Sequence, residues 1–124
     1  MIAIDTNLLV YYHRGDSQWH ELADRLLTEL ITSGVPWAIP WPCIHEFLAI
    51  VTHPRIFNPP TPLATALAEV NHWLASPSLA LLHEDLGFWE RFSALLEKGK
   101  IVGPRVHDAR IAALCLDHGV SELW

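Results

Sequence analysis

Short apolar segments alternate along this chain with longer segments in which apolar residues recur every three or four positions. The short segments, too brief for helices, predict strands at 2–4, 37–39, 79–82 and 120–124. Parallel strands must be joined by long crossovers, which are usually helices. The pattern therefore predicts an α/β fold, a three-layer α/β/α sandwich around a short and mostly parallel sheet.

The longer segments begin and end at residues that typically punctuate helices. Asp5-Thr6-Asn7 supplies capping side chains directly after the first strand, and Gly99 predicts a cap near the end of the chain's fifth helix. The last helix combines Ala, Ile, Leu and Cys with few polar positions, which predicts a helix packed on more than one side. The predicted helices cover 8–12, 16–33, 44–51, 62–74, 85–98 and 106–116.

Composition predicts one globular domain spanning 1–124. The chain has 124 residues, 51% of them hydrophobic and only 18% charged, which excludes a disordered protein. No apolar run approaches the roughly 20 residues of a membrane span, and Asp5 interrupts the first apolar stretch, so we expect no export signal and a cytoplasmic protein. Cys43 and Cys115 match no metal or redox spacing and are expected to be small buried hydrophobic residues.

Three acids interrupt apolar sequence at the end of a predicted strand or the beginning of a predicted helix. Asp5 follows the first strand, Glu46 is the single formal charge between positions 30 and 54, and Asp108 lies early in the last helix. Each has an ordinary alternative: an N-cap for Asp5, a solvent-facing or capping side chain for Glu46, and helix-end compensation or an arginine pair for Asp108. Together they predict three acids facing one crevice.

Converging carboxylates repel one another unless a cation lies between them. Hard divalent cations such as Mg²⁺ or Mn²⁺ prefer carboxylate oxygens, and they promote hydrolysis of phosphodiester bonds. A net charge of −6 argues against a protein that coats nucleic acid, but it permits a nuclease whose cations meet the phosphate. The pattern therefore favours a metal-dependent nuclease.

Other enzyme classes lack their motifs. His45-Glu46 begins like the zinc motif H-E-x-x-H, but position 49 is alanine. The chain contains neither the glycine-rich loops of nucleotide-binding proteins nor the G-x-S-x-G of serine hydrolases. The remaining alternative is a catalytically impaired module that binds RNA or another protein.

Three short segments occur together, in order, over essentially the whole chain. The opening Met-Ile-Ala-Ile-Asp-Thr-Asn, then Ile44-His45-Glu46-Phe47, and finally Val106-His107-Asp108-Ala109 resemble the PIN-domain family, in particular the VapC-type ribonuclease toxins. The resemblance implies an endoribonuclease dependent on Mg²⁺ or Mn²⁺ that commonly acts on structured RNA such as tRNA. It also implies a cognate antitoxin that holds the enzyme inactive and a homodimer.

The resemblance also implies roles for individual residues. Asp5, Glu46 and Asp108 correspond to metal-coordinating, catalytic acids, and Thr6 and Asn7 to polar support of the cofactor beside the first acid. The family pattern adds a fourth acid after the last strand, and this sequence ends at Trp124, where that segment would begin. Three expectations remain open: a truncated domain, a three-acid enzyme with weaker metal affinity, or a catalytically impaired protein.

Overall fold

A four-stranded parallel sheet forms the centre of the computed structural model, which describes residues 1–124. Every pairing is parallel, and the strands lie in the order β3-β2-β1-β4. The predicted α/β sandwich with a mostly parallel sheet is therefore confirmed. The strands are β1 (Ile2–Ala3), β2 (Trp37–Pro40), β3 (Leu79–Leu82) and β4 (Glu122–Leu123).

Six helices form the two outer layers. The first helix packs against the second and the third, the third packs against the fourth, and the fifth packs against the sixth. The third and the sixth helices also contact β2. Every residue of β2 is buried, as expected for a strand covered on both faces. The helices are α1 (Thr6–His13), α2 (His20–Thr32), α3 (Trp41–Val51), α4 (Leu63–Leu74), α5 (Phe88–Gly99) and α6 (Arg105–Asp117). None of them is long and apolar enough to cross a membrane.

The predicted start of α2 at Asp16 is wrong, because the helix begins at His20. The Asp16 carboxylate is engaged by the Arg14 guanidinium, with Nη2 and Oδ2 2.7 Å apart. The same contact lowers the pKa of the Asp16 carboxyl below its usual value. The side chain that would cap a helix is therefore used in a local ion pair within the loop.

Both predicted ends of α5 are shifted toward the carboxyl end. Asp85 forms an ion pair with Arg91 instead of starting the helix, which begins at Phe88 after Gly87 adopts a φ of 94°. The helix includes Gly99, and the left-handed residue that ends it is Lys100, with a φ of 50°. Glycine alone was therefore a misleading guide to the cap, because a lysine takes the conformation that glycine favours.

The strand order creates a topological switch point beside β1. The chain moves outward from β1 to β2 and β3, and then returns to the other side of β1 to form β4. In open parallel sheets, the carboxyl ends of strands on either side of such a switch border the crevice where ligands bind. Asp5 follows the carboxyl end of β1, so it lies at this crevice.

Candidate functional site

Asp5 joins the end of β1 to the beginning of α1. Its extended backbone is the N-cap of α1, and its Oδ1 accepts a hydrogen bond of 2.7 Å from the Thr6 backbone N–H. The Asp5 N–H in turn donates to the Trp124 carbonyl at 2.6 Å. The ordinary alternative for this acid, a helix cap, is thus observed, and the same carboxylate faces the crevice region.

Thr6 connects the first two acids of the prediction. Its hydroxyl donates a hydrogen bond of 2.7 Å to Glu46 Oε2, and only 4% of Thr6 is exposed to solvent. Glu46 lies in the second turn of α3, which begins directly after β2. The hydrogen bond therefore ties the carboxyl ends of two neighbouring strands together and holds Asp5 and Glu46 in one cluster.

Cys43 completes this cluster from one helical turn before Glu46. The thiol is fully buried, and its Sγ lies 3.5 Å from Asp5 Oδ1, as a weak S–H donor to the carboxylate. The pKa of the Cys43 thiol is raised to about 12: burial is the largest cause, a hydrogen bond with Thr6 acts in the opposite direction, and the neighbouring Asp5 and Glu46 carboxylates add to the increase.

Cys43 was expected to be buried, and it is, but its contact with an acid was missed. The signal that could have found this contact is the spacing of three residues between Cys43 and Glu46, which places both on one face of α3. Cys115 on α6 is also buried, and both burial and the charge of Asp5 raise the pKa of its thiol.

Each carboxylate of the cluster has one restrained oxygen and one free oxygen. Oδ1 of Asp5 accepts from Thr6 and Cys43, and Oε2 of Glu46 accepts from Thr6. The other oxygen of each group forms no hydrogen bond within the chain. Carboxylate oxygens are the ligands that Mg²⁺ and Mn²⁺ prefer, so Asp5 and Glu46 fit a hard divalent cation.

The third acid is not part of this cluster. Asp108 is exposed in the first turn of α6, and no three His, Cys, Asp or Glu side chains of the chain are arranged to hold a metal ion together. Asn7 is exposed as well. The structure therefore joins Asp5, Thr6 and Glu46 by hydrogen bonds, whereas the Asn7 and Asp108 side chains are exposed and form no hydrogen bond with them.

A cleft of about 280 Å³ opens beside Glu46, between the first turns of α3 and α6. Besides Glu46, four residues line it: Pro42, His45, His107 and Arg110. Sequence reasoning did not bring these four residues together, because α3 and α6 are far apart along the chain. Their positions within four residues of Glu46 or Asp108 are the signal that could have indicated them.

The fold and the paired carboxylates define a small α/β domain with an acidic site at the ends of its central strands. A sequence model of the PIN domain matches residues 2–123, and the chain belongs to this family. Ribonuclease VapC43 of Mycobacterium tuberculosis is 31% identical over 123 residues, which cover 99% of this chain and 84% of that protein.

Two solved structures share the fold. VapC20 of Mycobacterium tuberculosis, described as a sarcin-ricin loop cleaving toxin, has a TM-score of 0.73 at 15% identity, covering 99% of this chain and 87% of VapC20. VapBC2 of Rickettsia felis, bound to a DNA fragment from its promoter, has a TM-score of 0.64 at 19% identity, covering 98% of this chain and 86% of the matched one. At these identities the likeness concerns the fold alone.

Proposed function

We propose that this chain is a Mg²⁺- or Mn²⁺-dependent endoribonuclease that acts as the toxin of a toxin–antitoxin pair. The observation that carries the proposal is the Asp5–Thr6–Glu46 cluster, in which two acids from different elements meet at the carboxyl ends of neighbouring strands. Membership of the PIN family and the names of the VapC ribonuclease relatives support the same activity.

In this proposal Asp5 and Glu46 would hold the cation, and Asp108, exposed in the first turn of α6, would supply the third acidic ligand. The bound cation supplies Lewis-acid stabilisation of the negative charge that develops on the phosphate during cleavage. Thr6 and Cys43 keep the Asp5 and Glu46 carboxylates in place by restraining one oxygen of each. Asn7 adds polar support from the exposed side of the Asp5 turn.

The experiment that tests this function compares RNA cleavage in Mn²⁺, in Mg²⁺ and in excess chelator. We expect cleavage with either cation and none with the chelator.

Millimolar Mn²⁺ is also expected to raise the melting temperature of the wild-type protein, because the cation binds the folded state and relieves repulsion between carboxylates. Glu46→Gln removes one of these charges and should lose most of the increase. Metal-independent cleavage, or equal melting temperatures with and without Mn²⁺ in both proteins, would contradict the proposal.

Thr6→Val is expected to weaken Mn²⁺ binding by about tenfold or more, because groups that orient metal ligands contribute that much to affinity. Valine has the shape of threonine but cannot donate to Glu46 Oε2. The measurement is calorimetric titration of Mn²⁺ into the purified protein without RNA.

Thr61→Val is the matched control for this variant. Thr61 is similarly buried, and its hydroxyl is hydrogen-bonded to His13 and Arg14, beyond the opposite end of α1 from Asp5. Its substitution should leave Mn²⁺ affinity within about twofold of wild type. Equal losses in the two variants would mean that the Thr6 hydroxyl acts through stability and not through Glu46.

The alternative function is an RNA-binding or protein-interaction module without catalysis. One observation favours it, namely that no third acid stands beside Asp5 and Glu46 in a ready-made metal cluster. The cleavage experiment separates the two functions, since such a module binds RNA equally well with and without cations and never cuts it.

The partners of the proposed enzyme are an RNA substrate and a cognate antitoxin protein. The structural neighbour solved as the VapBC2 assembly supports an antitoxin partner, and the ribonuclease relatives support RNA. We further propose structured RNA such as tRNA as the substrate class, a homodimer as the assembly, and the cytoplasm as the location. Co-expression with the product of a short adjacent reading frame, followed by co-purification and loss of RNA cleavage, tests the antitoxin.

A further inference from the structure

The cleft beside Glu46 has an unusual charge pattern for so acidic a chain. Apart from Glu46 and Pro42, its lining consists of two imidazoles, His45 and His107, and the guanidinium of Arg110. The chain as a whole carries a net charge of −6. Hydrogen-bond donors are therefore concentrated next to the acid cluster, on the side that opens to solvent.

Arg110 is held in an orientation that leaves donors free. Its Nε donates to Glu84 Oε1 in the loop after β3, while its terminal Nη nitrogens have no partner within the chain. The Arg110 side chain is 37% exposed, so these nitrogens are accessible. A guanidinium restrained at one edge with its other donors free is suited to bind a phosphate through two hydrogen bonds.

His45, which lines the cleft, also has an aromatic neighbour. The centroids of the His45 imidazole and the Trp41 indole are 6.1 Å apart, and their planes are inclined by 33°. His45 and His107 are both exposed and reach the cleft from the first turns of different helices. Imidazole N–H groups and aromatic faces are common contacts to unpaired segments of RNA.

The other arginines that form ion pairs are located elsewhere. Arg14 is bound to Asp16 and lies over the Phe57 ring at 4.2 Å, and Arg91 is shared between Asp85 and Asp117. Of the eight Lys and Arg residues, Arg110 is the one that lines the cleft with Glu46. The cleft is thus the place where a basic side chain and Glu46 share one concave surface.

We propose that this cleft binds the RNA phosphate adjacent to the bond that is cut, with Arg110 as its principal donor and His45 and His107 as flanking contacts. The inference rests on the proposed ribonuclease function and assigns the substrate-binding side of the same site. Glu84 pairs with Arg110 Nε and leaves the Nη nitrogens free, so the proposal gives Glu84 no contact with the phosphate.

The test measures binding of a fluorescein-labelled single-stranded RNA by anisotropy, in chelator so that cleavage is prevented. Arg110→Gln is expected to weaken binding by about fivefold or more, and to reduce the slope of log Kd against log salt by about one. Arg25→Gln removes the same charge from an exposed position on α2 and should change Kd by less than twofold.

Glu84→Gln distinguishes a phosphate contact from a structural role of the ion pair. This variant weakens the Arg110–Glu84 pair but keeps the guanidinium, so RNA binding should stay within about twofold of wild type or become tighter. Equal losses in Arg110→Gln and Glu84→Gln, or equal behaviour of Arg110→Gln and Arg25→Gln, would overturn the inference.

The outcome for this cleft is separable from the outcome for the proposed function. If the wild-type protein cuts RNA with Mn²⁺ while Arg110→Gln binds normally, the cleft assignment fails and the ribonuclease function stands. If the wild-type protein binds RNA through Arg110 but cuts nothing with either cation, the assignment stands and the ribonuclease function fails. If the wild-type protein neither binds nor cuts RNA, both fail.

Discussion

Asp5→Asn is expected to lower Mn²⁺-dependent RNA cleavage by about a thousandfold. The substitution removes the negative charge of the acid at the switch between β1 and β4, and a cation contributes several kcal/mol to a transition state of this kind. Cleavage of a labelled RNA under single-turnover conditions is the measurement. Asparagine caps helices about as well as aspartate, so α1 should keep its N-cap.

Two further variants separate charge from folding at this position. Asp5→Ala loses both the charge and the cap, and its free energy of unfolding should fall by about 1 kcal/mol relative to Asp5→Asn. Asp24→Asn, on the exposed face of α2, should leave both cleavage and stability unchanged. Cleavage by Asp5→Asn at the wild-type rate would show that this carboxylate does not serve the reaction.

Phe47→Ala is expected to lower the free energy of unfolding by about 3–5 kcal/mol, the usual cost of removing a buried phenyl ring. The Phe47 ring is fully buried and packs edge-on against the Trp73 indole at 4.8 Å and the His13 imidazole at 5.3 Å. It therefore fills the contact between α1, α3 and α4. Urea unfolding followed by tryptophan fluorescence and circular dichroism gives the measurement.

Phe57→Ala is the matched control for the core variant. Phe57 is half-buried in the loop after α3, where its ring lies beneath the Arg14 guanidinium. Phe57→Ala should lower the free energy of unfolding by about 1 kcal/mol, because part of the Phe57 ring remains in water in the folded protein. Similar decreases in the free energy of unfolding for Phe47→Ala and Phe57→Ala would mean that α3 is less tightly packed than the structure indicates.

The sequence was sufficient to predict the sheet and the location of the first acid. Strands β2 and β3 are apolar throughout and lie between helical segments, so periodicity identified them nearly residue by residue. Asp5 and Glu46 stood out because each is a lone charge in apolar sequence, and such charges need a structural or chemical partner. Thr6 bonds to both acids, since its backbone N–H donates to Asp5 Oδ1 and its hydroxyl donates to Glu46 Oε2.

Contacts between elements that are far apart along the chain could not be predicted from the sequence. The Cys43 thiol touches Asp5 only because α3 packs against α1, and Arg110 reaches the cleft only because α6 returns to the same edge of the sheet. Spacing along the chain describes neighbours within one helix, but not which faces of two helices meet. The helix starts predicted at Asp16 and Asp85 failed for a different reason, since the nearby Arg14 and Arg91 form ion pairs with these two carboxylates.

The backbone around Asp5 forms two hydrogen bonds with Trp124, a residue far along the chain. The Asp5 amide donates to the Trp124 carbonyl, and the Trp124 amide donates to the Ala3 carbonyl. During synthesis on the ribosome, Asp5 emerges long before Trp124 does. Asp5 consequently lacks its hydrogen bond to Trp124 until β4 leaves the exit tunnel of the ribosome, and the crevice is complete only from that point on.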